Sequence, residues 1–123
     1  VLSGVVYAES VKVKETGQDL KAALDALVAD KAQTEFAAET KDAVRNLLKT
    51  GGFKPSGRNK PASEYLAQAA REGRFPFINN LVDINNFISL ETGLPISLLD
   101  ASVIGGTLKI RYGRAGERYV FNA

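Results

Sequence analysis

The stretch from Val82 to Pro95, VDINNFISLETGLP, constrains this chain more than any other. It reads as an apolar helix that carries two adjacent amides and stops at a glycine and a proline. Leu81, Ile84, Phe87, Ile88 and Leu90 recur at helical spacing, so one face belongs to a core. Asn85 and Asn86 are poor helix-interior residues, because their short amides compete for backbone hydrogen bonds. Two such residues inside an apolar helix point to binding, or to capping of the loop that follows. Neighbouring positions lie about 100° apart around a helix, so at most one of the pair faces any pocket squarely.

The remaining elements follow from the same kind of reading. Ser3 to Val13 reads as a strand, with Val5, Tyr7, Val11 and Val13 among polar neighbours. Thr16-Gly17-Gln18-Asp19 has the chemistry of a helix start, with Thr16 as N-cap. Leu20, Ala23, Leu24, Leu27 and Val28 form the buried stripe of that helix. A second helix is expected from about Glu35 to Lys49, ended by Gly51-Gly52, and a third begins at Pro61 and closes at Gly73. The amide-bearing helix runs from about Asn80 to Thr92 with Gly93 as its cap. A helical turn is expected near Ala101–Ile104, with Asp100 anchoring it. Thr107–Tyr112 and Glu117–Phe121 then form a hairpin around Gly113-Arg114-Ala115-Gly116.

The resulting expectation is an α+β fold, a mixed β-sheet with a terminal hairpin covered by three to four helices. With 123 residues the chain is read as a single domain spanning 1–123. A lone terminal hairpin is marginal, so more sheet-forming sequence is expected beyond the C-terminus. Val1 is not a start methionine, so the native N-terminus is expected elsewhere.

Cys, His, Met and Trp are all absent, which removes disulfides, thiolate nucleophiles, histidine bases and Cys/His zinc sites. Any catalysis uses carboxylates, lysine, hydroxyls, amides or backbone groups, and neither a metal nor a cofactor is indicated. No apolar run approaches the roughly 18–20 residues that span a bilayer, and no signal peptide is visible. A cytoplasmic location fits, although the missing cysteine also suits a periplasmic one.

Charge is uneven: net −2 over residues 1–48, +4 over 49–74 and zero over 75–123. The basic block includes Lys54, Arg58 and Lys60 in a Pro/Gly loop. It is either a phosphate contact or a solvated loop and helix end. Asp83 and Glu91, eight residues apart on one helical side, form either a carboxylate pair or part of a solvated polar face.

From about Lys54 to Glu117 the chain resembles the fused third-and-fourth domain of the bacterial phenylalanyl-tRNA synthetase beta subunit, and the smaller stand-alone proteins built from it. The resemblance is carried by KPSGRNKPASEYL at 54–66, INNLVDINNF at 78–87, Gly93-Leu94-Pro95 through Asp100, then Arg111 and Gly116-Glu117. In that family the domain hydrolyses tyrosine wrongly attached to phenylalanine tRNA. A site built to hydrogen-bond the tyrosine hydroxyl rejects phenylalanine, because its polar groups would be left unpaired. The ester is already activated, so a positioned water and a few donors suffice.

The resemblance implies a pocket at Asn85, Asn86, Pro95 and Ser97, with Asn85, Asn86 and Ser97 as its catalytic candidates and Pro95 at the substrate. From the residues alone, Asp83 is a further substrate-binding candidate, and Lys54, Arg58 and Lys60 of the basic loop are candidates for gripping tRNA phosphates. Asn86 keeps the family's asparagine, whereas Asn85 stands in place of a threonine and Ser97 in place of a histidine. The implied partners are tRNA or aminoacyl-tRNA and, as a subunit, a synthetase. Three readings follow: an editing domain, a non-catalytic tRNA-, RNA- or amino-acid-binding module of the same fold, and a structural fragment of a larger synthetase subunit.

Overall fold

A computed structural model describes residues 3–50 and 52–118, excluding the side chain of Arg58. Among the described residues four α-helices carry the architecture: α1 (Gln18–Gln33), α2 (Ala38–Lys49), α3 (Ala62–Arg71) and α4 (Asn80–Thr92). Short 3-10 turns at Gly57–Asn59 and Ala101–Val103 interrupt the connections.

Helices α1, α3 and α4 pack on one another, and the core lies where they meet. Leu24 of α1 and Leu90 of α4 are fully buried. Each contributes roughly 1.5–3 kcal/mol by removal of its side chain from water. α3 presents Ala67, Ala69 and Ala70 to the interior, and such small side chains let helix axes approach closely. α2 lies outside this trio: Val44 is its buried apolar residue, and Arg45 ties it to Glu64 of α3.

The helix ends explain the boundaries. Asn79 caps α4, its carboxamide oxygen accepting from the N–H of Leu81 at 3.1 Å and of Val82 at 3.0 Å. Gly93 closes the same helix with φ 74°. A methyl group there would meet the Phe36 ring at 3.1 Å, so glycine serves both the backbone and the packing. Phe36 is thereby a packing residue ahead of α2, which begins at Ala38 and not at Glu35. Thr16 does not cap α1: Gly17 holds the cap position, and Thr16 is buried with its hydroxyl turned to Asp83.

The expected α+β fold with a mixed sheet is overturned, since the described residues contain no strand. Ser3–Val13 has no regular structure, bends at Glu9-Ser10, and pairs with no strand among the described residues. Its C-terminal end is instead fastened to α4. The Lys14 N–H donates to Asn80 Oδ1 at 2.9 Å, the Asn80 N–H donates to the Lys14 carbonyl at 3.0 Å, and Asn80 Nδ2 donates to the Lys12 carbonyl at 3.0 Å.

The terminal hairpin is also absent over the described residues, while Tyr119–Phe121 of its second arm lie outside them. The turn itself is present, with Gly116 at φ 82°. Side chains hold it: both terminal nitrogens of Arg111 reach the Glu117 carboxylate, at 2.8 and 2.7 Å. The physical reason for the failure is shared by both segments. Alternation gives a strand one apolar face, but extended backbone becomes sheet only when a partner accepts its hydrogen bonds. Val5, Val6, Tyr7, Leu108, Ile110 and Tyr112 accordingly remain exposed.

Candidate functional site

The site is built from α4 and the segment that follows it. Asp83, in the first turn of α4, is fully buried. Its Oδ1 accepts from the Ile78 N–H at 2.9 Å, and its Oδ2 accepts from the Thr16 hydroxyl at 2.5 Å. Both oxygens are therefore engaged within the protein, which satisfies a buried carboxylate. Glu91 is exposed on the same helix, so the two carboxylates sit in different surroundings.

After Gly93 the chain turns back along α4, and three side chains of the helix hold it. Ser89 Oγ donates to the Leu94 carbonyl at 2.6 Å. The Leu94 N–H donates to Thr92 Oγ1 at 3.2 Å, and Asn85 Nδ2 donates to the Ile96 carbonyl at 3.5 Å. Positions 85, 89 and 92 follow the four-then-three spacing of one helical face. Asn85 is thus turned to the loop. Asn86 is half-buried, and its carboxamide makes no hydrogen bond among the described residues. Pro95 and Ser97 are both exposed on this segment.

Asp100 anchors the next turn, with Oδ1 accepting from the Ser102 N–H at 2.9 Å and the Ser102 hydroxyl at 2.7 Å. These bonds, the hydroxyl's first, hold its carboxyl below the usual aspartate range.

The basic loop divides into two environments. Lys54 lines an open cavity of about 380 Å³ with Arg45, Lys49, Phe53, Pro55 and Ser56. Lys60 faces elsewhere, its Nζ donating to Gln68 Oε1 at 2.6 Å and lying 5.2 Å from the centre of the Tyr65 ring. It lines a smaller cavity of about 60 Å³ that also includes Lys41, Glu64 and Arg71. Neither cavity is lined by Asn85, Asn86, Pro95 or Ser97. The Arg58 side chain lies outside the described residues.

Glu64 lines the smaller cavity and pairs with Arg45, which lines the larger one. Its oxygens accept from Arg45 Nε at 2.7 Å and Nη2 at 2.8 Å. These bonds hold its carboxyl below the usual glutamate range against an opposing effect of burial. Phe75 and Phe77 meet edge to face, 6.1 Å between ring centres, and Phe77 remains exposed.

Reading from sequence singled out Asn85 and Asn86 but missed the fastening roles of Asn80, Ser89, Thr92 and Thr16. A signal for Ser89 and Thr92 was available, since with Asn85 they form a polar stripe on one side of a helix that ends in Gly-Leu-Pro. No helix among the described residues is long and apolar enough to cross a membrane.

Three comparisons bear on this arrangement. The chain is 38% identical to the phenylalanine–tRNA ligase beta subunit of Bartonella henselae over 61 residues, 50% of this chain and 8% of that protein. The corresponding subunit of Gloeobacter violaceus is 36% identical over 61 residues, 49% of this chain and 8% of its own length. That of Symbiobacterium thermophilum is 40% identical over 60 residues, 48% of this chain and 7% of its length. The chain thus matches only about a twelfth of these curated relatives. No solved structure matches it significantly. The sequence profile of the B3/4 domain matches residues 54–121, more than half of the chain, and on that ground the chain belongs to the B3/4 domain family.

Proposed function

We propose that this chain is an aminoacyl-tRNA editing domain that binds tRNA carrying an aromatic amino acid and hydrolyses mischarged tyrosyl ester. The observation that carries the reading is the division of labour on α4. Asn85, Ser89 and Thr92 are spent on the backbone of Leu94–Ile96, which leaves the half-buried Asn86 amide available to a ligand. The kinship with phenylalanine–tRNA ligase beta subunits supports tRNA as the carrier.

In this reading water adds to the ester carbonyl, and the bond to the terminal ribose oxygen breaks. Tyrosine and tRNA with a free hydroxyl are released. Asn86 donates to the carbonyl oxygen as charge develops on it, and one such donor supplies about 10²–10³-fold in rate. Asn85 acts by fixing Ile96, Pro95 stiffens the segment, and the exposed Ser97 hydroxyl orients the water. Asp83 positions α4 through Thr16 and Ile78. Lys54, Arg58 and Lys60 contact phosphates, which gives affinity without sequence information. The domain acts in the cytoplasm, beside or within a synthetase.

Ser97 favours a second reading, because it stands where the resembled family has a histidine. A domain that kept the fold and lost the chemistry would bind aminoacyl-tRNA without turnover. Deacylation of tyrosyl-tRNA specific for phenylalanine separates the two. Editing predicts hydrolysis above the uncatalysed rate, lowered about 10²-fold by Asn86→Ala. Binding of the charged tRNA with no hydrolysis overturns editing in favour of the binding module.

A further inference from the structure

The open cavity at the end of α2 has a composition that the α4 site does not use. Phe53 and Pro55 give it apolar walls, Arg45, Lys49 and Lys54 surround it, and no acidic residue lines it. Arg45 is already neutralised by its two bonds to Glu64. Among the described residues Lys49 Nζ has one hydrogen-bond partner, the neutral Asn46 Oδ1 at 3.3 Å, and neither Lys49 nor Lys54 forms an ion pair. Two ammonium groups without an ion-pair partner among the described residues therefore line the cavity together with Phe53, which is 44% exposed.

An accessible aromatic ring in a cavity that it shares with cations and that no carboxylate lines suits a base on the ring and phosphates on the ammonium groups. The volume of about 380 Å³ falls within the 300–1,000 Å³ range usual for small-ligand sites. The opening to solvent lets a strand enter and leave.

We infer that this groove is a nucleotide subsite for single-stranded RNA, in which Phe53 stacks on an unpaired base and Lys49 and Lys54 hold the adjoining phosphates. The inference deepens the RNA-binding part of the proposed function and rests on it. Lys49 and Phe53 precede the stretch matched by the family profile, so two of its three principal groups lie outside that stretch.

The test is binding of a fluorescently labelled single-stranded pentaribonucleotide to the whole chain, followed by anisotropy over a range of salt concentrations. Phe53→Tyr keeps the ring and should bind like wild type. Phe53→Leu keeps apolar bulk without a π face and should bind about 5- to 150-fold more weakly, the equivalent of one lost stacked base. Lys49→Gln and Lys54→Gln should each lower the salt slope by about 0.7.

Equal binding by wild type and Phe53→Leu overturns the subsite, as does failure of the wild type to bind the pentamer. Adenosine monophosphate binding as tightly as the pentamer also overturns it, in favour of a free-nucleotide site. The underlying reading is judged separately with charged tRNA. Wild type that binds charged tRNA but not the pentamer loses the subsite and keeps the function, whereas wild type that binds neither loses both.

Discussion

Thr16 and Asp83, 67 residues apart, meet inside the protein, the threonine hydroxyl donating to the carboxylate at 2.5 Å. The contact joins the approach to α1 with the first turn of α4 and takes up the second oxygen of a fully buried side chain. Removing it leaves that oxygen without its partner, and an orphaned buried group costs more than the mean value of a hydrogen bond suggests. Thr16→Val should therefore lower unfolding free energy by about 1–3 kcal/mol, while Thr16→Ser, which keeps the donor, should lose about 0.8 kcal/mol with its methyl group. Urea denaturation of the two variants checks the order, and equal losses would place the effect in packing.

That contact also shows where sequence reading stops. A threonine followed by Gly-Gln-Asp has the chemistry of an N-cap, and nothing local reveals a partner so far along the chain. The helices were legible because their signals are local: Leu24 and Leu27 in α1, and Gly93 after α4. The Asp100 turn was legible for the same reason. The sheet was misread because alternation in Ser3–Val13 and Thr107–Tyr112 reports a one-sided apolar face and cannot report whether a partner exists. At the candidate site the amides were visible as anomalies, but only the fold shows that Asn85 faces Ile96. The groove at Phe53 depends on α2 meeting a loop and has no motif.

Gly93 couples helix termination to the packing of Phe36. Gly93→Ala puts a methyl group 3.1 Å from the ring at a backbone φ of 74°. The left-handed conformation alone costs an L-residue about 1–2 kcal/mol. Displacing the ring adds to that. In a Phe36→Leu background the added part should fall away, leaving the backbone cost, and a double-mutant cycle by urea denaturation measures the difference.

The Arg45–Glu64 pair should make stability depend on pH in acid. The Glu64 carboxyl is held below its usual range by Arg45, so the folded state releases this proton more readily than the unfolded chain. The stabilisation is present above the unfolded value and is lost as pH falls through the folded value. Wild type should exceed Glu64→Gln in stability at pH 7, and the gap should close as pH falls from about 5 toward 3. A gap independent of pH would assign the effect to shape rather than charge.

The proposed function assigns recognition of the aminoacyl end of tRNA to α4 and the segment it holds. The most direct measurement compares wild-type affinity for uncharged tRNA with that for the same tRNA carrying tyrosine in a non-hydrolysable amide linkage. Recognition of the aminoacyl end predicts tighter binding of the charged form, with the preference abolished by Asn86→Ala and the affinity for uncharged tRNA unchanged. Equal affinity for the two forms in the wild type would contradict it.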